Sequence, residues 1–221
     1  MDYATQRKNM VESQVRPSDV TDRRIIRAML ELPREAFVPE RFRALAYMDG
    51  PVPLTSAGSG PRRALLPART LAKIVQAAEI DPTAIVLDIG AGAGYGAALL
   101  ARLAESVVAL EADAGLLNAA RTTLAREGVD KVTLVEGELA QGWPNEGPYD
   151  AIVIEGAVEA VTPELLDQLK DGGRLVAIVG DRPAGRATVW RRDGSTFAAA
   201  AVFDASAEIL PGFEKARAFA F

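Results

Sequence analysis

Apolar and polar positions change their period partway along the chain. Up to about residue 80 the spacing is helical. Residues 4–16 and 21–32 predict two helices; in the second, Ile25, Ile26, Met29 and Leu30 share one face, Thr21 is placed to cap the start and Pro33 stops it. A third short helix is expected after Pro39, carrying Phe42, Leu45 and Ala46. Residues 49–67 are rich in proline and glycine and read as a loop or a crossing segment. From Pro67 to about Glu79, Leu71, Ile74, Val75 and Ala78 restore helical spacing.

Beyond residue 84, short apolar runs alternate with helical stretches. Strands are expected at 85–89, 106–110, 131–135, 149–154 and 174–179, with helices to about 104, over 113–127 and over 162–170. Residues 186–221 read as two or three antiparallel strands with a turn at Asp193-Gly194. Strands alternating with helices of this length imply an α/β fold with a parallel sheet and right-handed crossovers. The expected organisation is a helical segment and loop over 1–67 joined to a sheet-bearing part over 68–221, in one compact unit.

Composition narrows the chemistry. The chain has neither cysteine nor histidine. Disulfides, a thiolate nucleophile, the usual zinc sites and a Ser-His-Asp triad are therefore excluded, and no metal site is expected. Residues 1–70 hold 12 Lys/Arg and 8 Asp/Glu, whereas the remainder holds 13 and 22, so an arginine-bearing head precedes an acidic body. Such a head could meet an anionic substrate. No basic run is interleaved with aromatics, so no nucleic-acid partner is expected. The charged first residues do not resemble an export signal, and the longest uncharged stretch, Ile89 to Ala101, is too short to span a bilayer. A cytoplasmic location with no membrane partner is the expectation.

The informative segment is Asp88-Ile89-Gly90-Ala91-Gly92-Ala93-Gly94, which follows a strand and opens a helix. Glycines at alternate positions let the backbone touch a ligand, and the helix start beyond offers free N–H groups. The spacing alone does not name that ligand. Gly92, Gly94 and Ala97 also satisfy a dinucleotide fingerprint, with Glu111 about 20 residues on as a ribose-binding acid. Asp88, just before the glycines, could face a cationic ammonium or sulfonium, which favours S-adenosylmethionine over a nicotinamide cofactor. Glu111 with Ala112 would hold the ribose in either case. Glu138 with Leu139 at the third strand end could meet the adenine, and Glu155 at the fourth could line the cofactor or substrate wall.

Beside these features the chain resembles the protein-L-isoaspartate O-methyltransferase family over most of its length. The resemblance rests on Met10-Val11-Glu12-Ser13-Gln14-Val15, on Leu32-Pro33-Arg34-Glu35-Ala36-Phe37-Val38-Pro39-Glu40 and on Ala46-Tyr47-Met48-Asp49. The glycine turn with Tyr95, Gly142-Trp143-Pro144, Tyr149-Asp150-Ala151-Ile152 and Leu166-Asp167-Gln168-Leu169-Lys170 continue it. It implies a Rossmann-like class I methyltransferase fold, with a mostly parallel seven-stranded sheet and an N-terminal helical extension. It also implies methyl transfer from S-adenosylmethionine to the carboxylate of an isoaspartyl residue in a damaged protein or peptide, leaving S-adenosylhomocysteine. A different acceptor, such as an anionic small molecule, and a non-catalytic cofactor-binding role stay open.

One stretch departs from that pattern. The family's loop, Gly-Gln-Thr-Ile-Ser-Gln-Pro, carries the serine held to assist at the substrate carboxylate. Counting from either flanking proline places that serine at Pro61 or at Leu65 here, and about four residues look inserted. Ser59 or Thr55 could substitute from a shifted position, and Arg62 with Arg63 could clamp an anionic substrate or remain solvated on the loop. Glu138, Glu155-Gly156-Ala157-Val158 and Ile209-Leu210-Pro211-Gly212-Phe213 also depart.

Overall fold

A computed structural model describes residues 2–56, 58, 62–180 and 185–214. Helix α1 (Tyr3–Met10) is capped by Asp2 and continues through a π turn at Val11–Val15 and a 3-10 turn at Arg16–Ser18. The segment ends where Asp19 turns left-handed. In helix α2 (Arg23–Glu31) the cap is Asp22 rather than Thr21: its carboxylate accepts from the Arg24 amide at 2.8 Å. The Thr21 amide instead donates to Gln76 Oε1 at 2.7 Å, which ties the start of α2 to a later helix. The stretch after Pro39 is a 3-10 helix, Glu40–Leu45. Two short strands, β1 (Val52–Pro53) and β2 (Ala64–Leu65), pair antiparallel at the base of the proline-rich loop, and α3 (Ala68–Ala77) follows.

The main sheet contains β3 (Ile85–Ile89), β4 (Ser106–Glu111), β5 (Val132–Glu136), β6 (Tyr149–Val158), β7 (Leu169–Val179), β8 (Gly185–Asp193) and β9 (Thr196–Ala205). Their order is β5-β4-β3-β6-β7-β8-β9; the first five run parallel and the last two are antiparallel. The chain steps outward from β3 to β5, then returns to β6 on the other side of β3. That reversal falls between β3 and β6, and open α/β sheets bind ligands at the carboxyl ends of strands at such a switch point.

Helices α4 (Tyr95–Ala101) and α5 (Ala114–Arg126) form where expected. The expected helix over 162–170 shrinks to one turn, α6 (Pro163–Leu166). Leu169 is instead drawn into β7, where it pairs with Tyr149, and Lys170 bonds Asp150 at 2.8 Å. Strand pairing and that ion pair override the local helical spacing.

Alternate residues of the central strands enter two cores. Val86, Val107, Ala109, Ala151, Val153, Val176 and Ile178 pack against the N-terminal helices, α3 and α4. Leu87, Ile89, Val108, Leu110, Ile152, Ile154, Leu175 and Ala177 pack against α6, Leu210 and Phe213. A parallel sheet covered on both faces explains the near-continuous apolar runs that signalled its strands. Met10, Val15, Met29 and Phe37 belong to the first core, so the N-terminal segment packs on the sheet itself. Among the described residues no helix is long and apolar enough to cross a membrane.

Candidate active site

Register places the ends of three strands side by side: Ile89 lies opposite Leu110 of β4 and Ile154 of β6. Each end supplies an acid, Asp88, Glu111 and Glu155, and all three are buried. A bulge aims the third. β6 and β7 align at Val153 and Val176, then again at Ala157 and Ile178, so three residues of β6 face one of β7. The surplus lifts Glu155-Gly156 out of the ladder, and the rest of β6 then pairs with the tail through Ala157 and Ile209.

Between β3 and α4, Gly90, Gly92 and Gly94 all take positive φ, a conformation that side chains resist. The Gly90 amide donates to the Leu110 carbonyl at 2.9 Å, and the Gly92 amide to Glu111 Oε2 at 2.8 Å, which ties the turn to β4. Glu111 Oε1 also accepts from the Ala112 and Asp113 amides. The strand-end charge is thus a structural anchor as well as a site acid. Its last partner is Arg63, whose guanidinium grips both carboxylate oxygens at 2.5 and 2.7 Å.

Asp88 contrasts with Glu111. No amide, hydroxyl or cation donates to either of its carboxylate oxygens or to Glu155 Oε1; the two carboxyls instead face each other closely enough to share a proton. Burial lifts the Asp88 carboxyl to about 7 against the hydrogen bond it shares with Glu155, which lowers it, and the Glu111 charge adds to the rise. Burial, then the Asp88 charge, pushes Glu155 well above the usual carboxylate range. At neutral pH the pair therefore carries fewer than two charges. Behind it lies Arg34, also fully buried, which donates to the Ala46 and Leu66 carbonyls at 2.8 and 2.7 Å and stacks 4.7 Å from the centre of the Tyr95 ring. A buried pair of acids with no counter-ion of its own suits a cationic ligand.

The structure gathers Asp88, Gly90, Ala91, Gly92, Gly94, Glu111 and Glu155, and adds Arg63 to them. Ala112 and Glu138 stand exposed at the rim, while Leu139 is buried in the core on the α6 side. The two arginines of the loop part company. Arg62 is exposed, and Arg63 is an inward ion pair rather than a solvated loop residue. Thr55 Oγ accepts from the Arg63 amide at 3.1 Å. Ser59 and Pro61 lie outside the described residues. Sequence reasoning missed Arg34, although it is the cation of an otherwise largely apolar block that carries the resemblance. It also missed the inward placement of Leu54 and Leu210, for which the local pattern holds no signal.

A doubly wound sheet with this strand order, an acid before a glycine turn and an acid at the next strand end define a class I methyltransferase architecture. The chain belongs to the protein-L-isoaspartate(D-aspartate) O-methyltransferase family, whose model matches residues 5–203. It is 42% identical over 177 residues to the protein-L-isoaspartate O-methyltransferase of Methanoculleus marisnigri, covering 80% of this chain and 78% of that protein. Among solved structures, a protein-L-isoaspartate O-methyltransferase superposes with a TM-score of 0.83 at 24% identity, over 93% of this chain and 66% of that one. A Plasmodium falciparum chain assigned to the same activity, in complex with S-adenosyl-L-homocysteine, gives 0.73 at 18% identity, over 95% and 98%. These two likenesses establish the fold, and the family match places the chain among S-adenosylmethionine-dependent enzymes.

Proposed function

We propose that the chain methylates a carboxylate, that of an L-isoaspartyl residue in a damaged protein or peptide in the cytoplasm, using S-adenosylmethionine. The observation that carries this reading is the set of three buried acids on adjacent strand ends around the glycine turn, of which Asp88 and Glu155 face each other with no cation bonded to Asp88. S-adenosylmethionine supplies an electrophilic methyl group. In this reading Asp88 and Glu155 face its cationic amino-acid part, Glu111 accepts from the ribose hydroxyls, and the backbone of Gly90 to Gly92 forms the floor. Glu138 and Leu139 border the adenine. Exposed Arg62, on the loop that also carries Thr55 and, in sequence, Ser59, would meet an anionic acceptor.

The acceptor requires little of the protein. A carboxylate is ionised at pH 7 and needs no general base, so a chain without histidine is adequate. The remaining work is alignment and exclusion of water. A test of the reaction type is the lability of the transferred label. A carboxyl methyl ester releases methanol in mild base, so transferred label that survives such treatment rules out carboxylate methylation.

Leu65 favours a second reading of the acceptor. It stands at one of the two positions where the family serine would fall, and it is buried and paired with Val52. No hydroxyl is available there, which fits an acceptor other than an isoaspartyl residue. Base-labile label on an anionic small molecule, with none on isoaspartyl peptide, would select this reading.

A further inference from the structure

Arg63 spans from the loop base to the heart of the site. Nη1 donates to Glu111 Oε1 at 2.5 Å, Nη2 to Oε2 at 2.7 Å, and Nη2 also reaches the Gly90 carbonyl at 3.1 Å. Both side chains are buried, at 6% and 0% exposure. With the amides of Gly92, Ala112 and Asp113 also bonded to it, the Glu111 carboxylate is engaged on every side. A vicinal diol approaches a carboxylate as two parallel O–H donors. A guanidinium presents the same fork with two N–H donors. Arg63 thus sits where two ribose hydroxyls would.

It does not sit there alone. A Cβ built at Gly92 would lie 2.7 Å from Leu54 Cδ1, and one at Gly90 would lie 2.8 Å from Leu210 Cδ1. Side chains of this chain therefore occupy the surface that the glycines leave open. Leu54 and Arg63 are tied together: the Leu54 amide donates to the Arg63 carbonyl at 2.8 Å and the Arg63 amide to Thr55 Oγ. Among the described residues their ladder is short, Val52 with Leu65 and Pro53 with Ala64, and Val52, Leu54 and Leu65 rest on the first core.

We propose that Arg63 is an internal competitor for the nucleoside part of the cofactor: seating a ribose on Glu111 requires Arg63, and the base of the loop with it, to withdraw. The proposal rests on the cofactor reading of the site given above. Its consequence is an apparent affinity reduced by the fraction of molecules in the open state.

The test is calorimetric titration of S-adenosylhomocysteine into the full chain and into its Arg63→Met and Arg63→Ala variants, with thermal melts alongside. Methionine keeps most of the aliphatic volume and removes the fork, while three backbone amides continue to hold Glu111. Both variants are expected to stay folded and to bind on the order of tenfold more tightly. Unchanged or weaker binding by folded variants overturns the proposal and leaves the cofactor reading standing. Failure of both variants to fold makes Arg63 a structural residue and also overturns it. Absence of binding by the wild type and both variants overturns the cofactor reading itself, and the proposal falls with it.

Discussion

Glu155 lies so close to Gly96, in the first turn of α4, that a Cβ at position 96 would overlap its carboxylate. The bulge in β6 and a side-chain-free turn of α4 together make room for a buried acid. Gly96→Ala should expel Glu155 or distort the turn, at a cost of about 1–3 kcal/mol of stability. Chemical denaturation measures this, and an unchanged midpoint would show that Glu155 is not confined there.

Asp88 and Glu155 hold their protons more tightly in the folded chain than in the unfolded one. Folding therefore takes up protons, and stability should fall as pH rises from about 4, the unfolded value, to about 7, the folded Asp88 value. Above that window the Asp88 contribution is lost. Arg34, Arg63 and Glu111 are the other charged groups acting on the pair. Asp88→Asn should flatten the profile and raise the melting temperature at pH 8; a profile identical to wild type would remove Asp88 as its source.

The same pair should report on ligand binding. A cationic ligand favours the ionised acids, so S-adenosylmethionine should displace protons near pH 6–7 and bind more tightly as pH rises. Calorimetry in buffers of different ionisation enthalpy detects that release, and buffer-independent heats would contradict it.

Glu111→Ala should weaken S-adenosylhomocysteine by roughly 1–3 kcal/mol, as for lost hydrogen bonds to a charged group. Gly92→Val should abolish binding, since a side chain there holds the cofactor off the backbone and the positive φ resists it besides. An unaltered dissociation constant in either variant would move the ribose elsewhere.

Arg34 is expected to matter to stability. Replacing it with methionine leaves the Ala46 and Leu66 carbonyls without their charged donor and should cost about 2–3 kcal/mol. A shift below half a kcal/mol in the unfolding free energy would contradict that assignment.

The central strands β3, β4 and β6 were legible because they are covered on both faces, so each showed as a largely apolar run ending in a turn signal. The glycine turn, Asp88 and Glu111 were legible for a related reason: the site lies at strand ends whose chain order follows from the alternation. What the local pattern could not show was contact across distance. Arg63 reaches Glu111 across 48 residues, and Leu210 reaches Gly90 from the far end of the chain. The helix expected over 162–170 failed for the same reason, since Leu169 answers to its pairing with Tyr149. At the start of α2, two adjacent capping residues competed, and a contact from α3 to Thr21 left the cap to Asp22.

The central claim, carboxylate methylation at isoaspartyl residues, is tested most directly by methyl transfer from labelled S-adenosylmethionine to an isoaspartyl peptide beside its normal aspartyl twin. The expected result is base-labile label on the isoaspartyl peptide alone. Tight cofactor binding with no label on either peptide would contradict it and assign the altered loop to another acceptor.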